Sequence, residues 1–213
     1  MQKFKNSQLM KKPLILIILL LCFKSFAQND PKIAFQKSRY DLALSCYKKA
    51  DFKKALDLFS VASRIKPENE VGRESIKKVD SLKIILRKNI LDKAIGTWKM
   101  AGDKPVWSST ATDNSTKEID EFVEITQNQI SFYEVDKETK TKKLLHSEAL
   151  VYYNKDASDA VFSDVILSDG TIWSCLLSED SNTLHVINIA KKDETGVQKI
   201  TSDNLEHFYT RVK

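Results

Sequence analysis

Gly96-Thr97-Trp98-Lys99 marks the point where the apolar pattern of this chain changes period. Upstream, apolar residues recur every three or four positions, the spacing of a helix with one buried face. Downstream, short runs alternate apolar and polar residues and carry most of the β-branched and aromatic side chains, the pattern of half-buried strands. A change this sharp joins two architectures end to end. The expected fold is therefore segregated α+β: an N-terminal α-hairpin and a long third helix, followed by an eight-stranded antiparallel up-and-down β-barrel.

Working outward from Gly96, the strand-like runs fall near 96–100, 119–126, 129–135, 143–153, 160–167, 171–178, 183–189 and 205–212. Between them stand Gln127-Asn128, Asn154-Lys155-Asp156, Ser168-Asp169-Gly170 and Asp180-Ser181-Asn182, residues suited to tight turns. Strands joined this way form a meander, and closing a meander on itself removes its exposed edges.

The two ends of the segment, Gly96-Thr97-Trp98-Lys99 and Tyr209-Thr210-Arg211, resemble the first and last strands of lipocalin-like domains. The resemblance covers about residues 94–213. It implies that Trp98 plugs the closed end of the barrel and that Arg211 packs across its ring, an arrangement that gains a cation–π contact. The chain shows no second-motif turn and no C-terminal helix, which brings it nearer to the small bacterial lipocalin-like domains than to secreted animal lipocalins. Ile125, Ile130, Phe132, Tyr133, Phe162, Trp173 and Leu184 either line a cavity for a small apolar ligand or fill the barrel as a solid core. Loop 101–118 is polar apart from Val106 and Trp107, and the resemblance makes it a lid over the barrel mouth. Trp107, Tyr133 and Trp173 are the candidate ligand contacts.

The helical half is read from Ala50 to Ile65, an amphipathic run stopped by Pro67 and capped by Asp51. Ala55, Phe59 and Ala62 share one face, and the small residues allow close approach of a neighbouring helix. Tyr40 to Lys49 forms a preceding amphipathic run with Leu42, Ala43 and Cys46 inward. The series Ala55, Phe59, Ala62 and Pro67, with Leu42-Ala43 one helix earlier, resembles a tetratricopeptide repeat over about 36–69. Ala43 and Ala50 stand where that family often has glycine, and Arg39 where it often has tryptophan. One repeat is visible, so Val71–Ile95, with apolar residues at spacings of three and four, is expected to form a solvating third helix. The resemblance implies that the first helix presents Lys37, Tyr40, Leu44 and Tyr47 in a partner-binding groove; the alternative is that the two tyrosines pack on the third helix. Leu44 occupies the key amide position of the family's carboxylate clamp, which is therefore not carried over.

The N-terminus supplies an address. Lys3, Lys5, Lys11 and Lys12 precede the apolar run Leu14–Phe23, and Ser25-Phe26-Ala27 provides small residues for cleavage. The expected organisation is a signal peptide at 1–27, a tetratricopeptide-like helical domain at 28–94 and a lipocalin-like β-barrel domain at 95–213. The run is too short to span a bilayer, which takes about 20 residues, so no stable membrane span is expected after cleavage. The expected location is the periplasm or cell envelope of a Gram-negative bacterium, with secretion or lipid anchoring at Cys22 as alternatives.

The whole chain carries 34 basic and 29 acidic residues, a net +5. Five of the lysines belong to the signal, which holds no acid, so the mature chain is neutral and gives no electrostatic case for nucleic-acid binding. Residues 28–92 are net +6 and residues 93–213 net −6. These fields favour docking of one half on the other or of two chains head to tail, against the plainer reading of solvated faces. Cys46 and Cys175 lie on apolar elements and read as buried thiols or as a pair. No cysteine or histidine spacing suggests a metal or haem, and no cofactor is expected. His146, His185 and His207 fall on separate strands. Glu121 and Glu124 read as barrel surface, and no nucleophile elbow, zinc-binding helix motif or phosphate loop is present. Asp80-Ser81-Leu82 resembles a short bacterial O-glycosylation sequence. The function expected is that of an exported non-enzymatic binding or scaffold protein, its helical repeat for a protein partner and its barrel for a small apolar ligand or a rigid adaptor role. The alternatives are a purely structural envelope module with a filled barrel and an enzyme using the barrel mouth.

Overall fold

The computed structural model of the chain describes residues 30–105, 112–113, 118–201 and 204–213. Residues 1–27, read from the sequence as a signal peptide, and Trp107 lie outside the described residues. Three helices precede eleven strands in the described chain: α1 (Pro31–Lys48), α2 (Phe52–Ile65) and α3 (Glu70–Ala94), then the sheet. Two compact units divide between Lys78 and Val79, within α3.

In the first unit α1 and α2 form a hairpin. Asp30 caps α1 by accepting from the Lys32 amide at 2.9 Å, and its carboxylate also meets Lys66 Nζ at 2.6 Å. The turn after α1 satisfies the last carbonyls in two steps. The Ala50 amide donates to Tyr47 O and the Asp51 amide to Cys46 O, both at 3.0 Å. This is a Schellman closure, which places the residue after the C-cap in the left-handed region. That residue is Ala50, with φ of 58°. Ala55, Phe59 and Ala62 are fully buried, as their shared face requires, together with Ala43. Cys46 is also buried, but Leu42 is 43% exposed and stands outside the inner face. Helix α1 begins nine residues before the amphipathic run at Tyr40, because its first turns carry apolar side chains without a helical period.

Gln36 takes a large part of the inner position. It is fully buried, and its amide nitrogen donates to Ala62 O at 2.9 Å and Lys66 O at 3.1 Å. Its amide oxygen accepts from Asn69 Nδ2 at 2.6 Å, and Asn69 Oδ1 in turn accepts from the Gly72 amide at 2.7 Å. One glutamine thus satisfies the open carbonyls that end α2 and steadies the residue that caps α3. Gly72 makes this turn possible: a Cβ there would lie 2.1 Å from Lys66 O.

In the second unit the strands are β1 (Gly96–Pro105), β2 (Thr112–Asp113), β3 (Ile119–Ile125), β4 (Gln129–Asp136), β5 (Lys142–Ala149), β6 (Val151–Tyr152), β7 (Asp164–Ile166), β8 (Thr171–Leu177), β9 (Thr183–Asp193), β10 (Gly196–Lys199) and β11 (Leu205–Arg211). The sheet is antiparallel, in the order β5-β4-β3-β1-β11-β9-β8-β7-β6, with β2 on β1 and β10 on β9. The two ends of that order, β5 and β6, are separated in sequence by Leu150 alone. The sheet therefore comes back to within one residue of itself and forms a nearly closed barrel.

Eight strands is not the count. The run at 143–153 breaks at Leu150, whose amide donates to Asn128 O, and β2 and β10 are added. The strand expected at 160–167 is confined to Asp164–Ile166, with Phe162 in the preceding loop. The core inside the sheet joins Trp98, Met100, Val123, Ile125, Ile130, Val165, Trp173, Leu184, Val186 and Tyr209, with Ala94 from the end of α3.

Candidate functional site

The base of the barrel is built on Trp98 and Arg211, which are register partners across β1 and β11. Trp98 is fully buried and its indole N–H donates to Ala94 O at 2.8 Å. The Arg211 guanidinium lies 4.3 Å from the Trp98 ring centroid. It also donates to three carbonyls, Ser181 O at 2.9 Å, Ile95 O at 3.0 Å and Lys93 O. Two of these belong to the C-terminal end of α3, where the partial negative charge of a helix favours a cation. Gly96 has φ of 137°, and a Cβ on it would stand 2.8 Å from Arg211 Nη1. The glycine, the indole and the guanidinium therefore form one joint.

Above this joint lies an apolar cavity of about 50 Å³. Its walls include Ile125, Ile130, Phe162, Trp173, Cys175 and Leu184, and Ile90, Leu91 and Ala94 of α3 close one side. Phe132 packs on the same core without lining the cavity. Arg87 fixes the loop that brings Phe162 in. Its guanidinium donates to Phe162 O at 2.9 Å and Asn154 Oδ1 at 2.6 Å, and lies 4.6 Å over the Tyr152 ring. One turn earlier, Lys83 Nζ reaches Asp156 O at 3.4 Å, and burial lowers its pKa. The thiol of Cys175 is pushed up to about 12, chiefly by burial in this apolar wall and further by the Asp164 carboxylate.

The candidate contacts fall in different places. Trp173 lines the cavity. Tyr133 pairs across the ladder with Phe122 on the outer face, under the Lys142 ammonium at 3.8 Å, and takes no part in the lining. Trp107 is outside the described residues. Of the acids read as surface, Glu124 is outward and meets Lys142 Nζ at 3.3 Å. Glu121 stands two residues before the buried Val123 and so shares the inner register. In the helical unit Lys37 and Tyr47 are exposed and Leu44 is half-buried. Tyr40 packs edge-on against Phe59 at 5.4 Å. Tyr47 lies against Phe52 at 5.6 Å with Lys78 Nζ 5.3 Å from its ring. Cys46 and Cys175 are both free thiols.

Sequence reasoning missed the row of rings at the opposite end of the barrel. His146 stacks on Phe132 at 4.4 Å, Phe132 meets Trp173 at 5.7 Å, and Trp173 meets His207 at 6.4 Å. Alternation in each strand signals an inward residue, but only the pairing of β4 with β5 and of β9 with β8 and β11 brings these four together.

No family model matches the chain, and no curated protein matches it. Among the described residues no helix is long and apolar enough to cross a membrane.

Proposed function

We propose that this is an exported, non-enzymatic binding and scaffold protein, whose helical hairpin contacts a protein and whose barrel is a rigid adaptor. The observation that carries the adaptor role is the filled interior. Trp98, Met100, Trp173 and Tyr209 occupy the barrel and leave about 50 Å³, while an apolar cavity of about 150 Å³ is what accepts a ligand as small as benzene. A small apolar ligand therefore has to displace side chains. The same observation supports the second reading, a purely structural module of the cell envelope.

Exposed Lys37 and Tyr47, with Ile33 on the same face of α1 at 44% exposure, support the protein-contact role. The resemblances to a tetratricopeptide repeat and to a lipocalin-like barrel, and export by the 1–27 signal to the periplasm or envelope, belong to this proposal. Native mass spectrometry of the purified protein tests the barrel: an unliganded mass is expected, and a retained small molecule overturns the adaptor role. Pull-down with Lys37→Glu/Tyr47→Ala tests the hairpin, because neither residue holds the core. Loss of partners is expected, and unchanged partners discard the groove.

A further inference from the structure

The inner face of the barrel changes character away from Trp98. Asp103 and His207 are register partners on β1 and β11, and His207 shares its face with Tyr209 two residues on. Asn188 pairs with Trp173 and shares its face with Val186. Asp103 and His207 thus stand side by side on the inside of β1 and β11, and Asn188 follows on the same face of β9, two positions from the Val186 that lies opposite His207. Asp103 Oδ1, His207 Nδ1 and Asn188 Oδ1 are all buried atoms without a hydrogen-bond partner. The first two are 3.5 Å apart, beyond a good hydrogen bond. Buried polar atoms are nearly always paired, and leaving one unpaired carries its full desolvation penalty. Three together point to a missing partner.

The chemistry of that partner follows from what faces it. Two of the three atoms, the Asp103 carboxylate oxygen and the Asn188 amide oxygen, only accept, so the partner must donate. Of the charged side chains in the inner register at this end, Asp103, Glu121 and Glu134 are acids; Lys143 stands opposite Glu134, and Lys191, opposite Thr171, meets the Asp169 carboxylate at 3.7 Å. An anion is disfavoured there. Trp173 stands across the ladder from Asn188 and meets Phe132 edge to face, and His146, stacked on Phe132 with its side chain 54% exposed, ends the row toward solvent. Rings with carboxylates suit a cation. Among the described residues no three ligating side chains converge as a metal site requires.

We propose that this end of the barrel binds a small organic cation bearing N–H donors, of the guanidinium or primary ammonium class, held by Asp103 and Asn188 beside Trp173. This site shares the Trp173 wall with the apolar cavity above Trp98 but is marked by different, polar residues, and it does not depend on the adaptor reading.

The test titrates methylguanidinium, tetramethylammonium and octanoate into the purified protein and follows the His207 ring and Trp173 indole signals by NMR. Methylguanidinium is expected to shift both signals saturably. Tetramethylammonium, with equal charge and no N–H, is expected to bind about tenfold more weakly or not at all, and octanoate to leave both signals in place. Asp103→Asn is expected to weaken methylguanidinium binding about tenfold; should that variant not fold, Asn188→Leu replaces it with the same expectation. No saturable shift with methylguanidinium, equal binding of tetramethylammonium, displacement by octanoate, or undiminished affinity in the folded variant each overturns the proposal.

Discussion

The Arg211 guanidinium rests on the indole of Trp98 and at the same time caps the carbonyl end of α3 through Lys93 O and Ile95 O. One side chain therefore ties the last strand, the first strand and the preceding helix. Arg211→Ala removes a ring contact and hydrogen bonds from a charged donor, and is expected to destabilise the barrel by about 2–4 kcal/mol. Arg211→Lys keeps the charge but loses the planar fork, and recovers less than half of that. Urea unfolding followed by tryptophan fluorescence measures both.

Gly72 gives the opposite result from an ordinary helical glycine. Replacing an exposed helical glycine by alanine gains about 1 kcal/mol. Here the added Cβ meets Lys66 O at 2.1 Å, backbone that cannot give way alone. Gly72→Ala is expected to lower the stability of the helical unit and to break the Asn69 cap, seen as a loss of helical circular dichroism at reduced urea concentration.

Ala50 offers a gain. Its φ of 58° costs an L side chain about 1–2 kcal/mol. Ala50→Gly relieves that strain and is expected to raise stability by about 0.5–1 kcal/mol after the loss of chain stiffness in the unfolded state. The thermal midpoint of the helical signal reports it.

Asp164 is buried, and that burial raises its pKa, a hydrogen bond with Ser174 working against the shift. A carboxyl whose folded pKa stands above the unfolded value near 3.9 contributes its full stability below that value and loses it as pH rises through the folded pKa. Asp164→Asn is therefore expected to raise the unfolding midpoint at pH 7, and the difference from wild type is expected to vanish below about pH 4. Denaturation series at the two pH values settle it.

Cys175 is expected to be nearly inert while the protein is folded. With its pKa near 12 the thiolate is scarce at pH 8.5, and alkylation by iodoacetamide is expected to be slower than in the unfolded chain by on the order of a thousandfold. Because the unfolded thiol ionises near pH 8.5, this group's contribution to stability declines as pH rises above that value. Peptide mapping after timed labelling checks the rate.

Much of the architecture is legible from periodicity, and the departures have physical causes. The strands around Trp98, Val123, Ile130, Trp173 and Leu184 bury one face, so their alternation is strong. Strand β9 continues four residues past Ile189 and turns into β10 through Lys191, Lys192 and Asp193, polar on both faces, where a pattern reader sees a loop. Helix α1 is apolar on several sides, with Ile33, Phe35 and Leu42 all exposed, and its inner face is completed by the polar Gln36. A buried glutamine that serves another helix's carbonyls leaves no trace in a hydrophobic pattern. The same holds for Asp103, His207 and Asn188, whose convergence depends on register between strands far apart in sequence. The contact of Arg211 with Trp98 is what the resemblance to lipocalin-like strands implies, whereas the reason for glycine at 96, room for the guanidinium, emerges only from the structure.

The seal at the base joins groups 116 residues apart, Arg211 and Ile95. Until residue 211 has been synthesised, β1 has no β11 to pair with and Trp98 has no lid. Throughout that interval the growing polypeptide exposes sticky strand margins and an uncovered indole, the features that make incomplete β-sheets slow to fold and prone to aggregate. Closure of the barrel is thereby left to the end of the chain, and the last strand is the element on which the finished sheet waits.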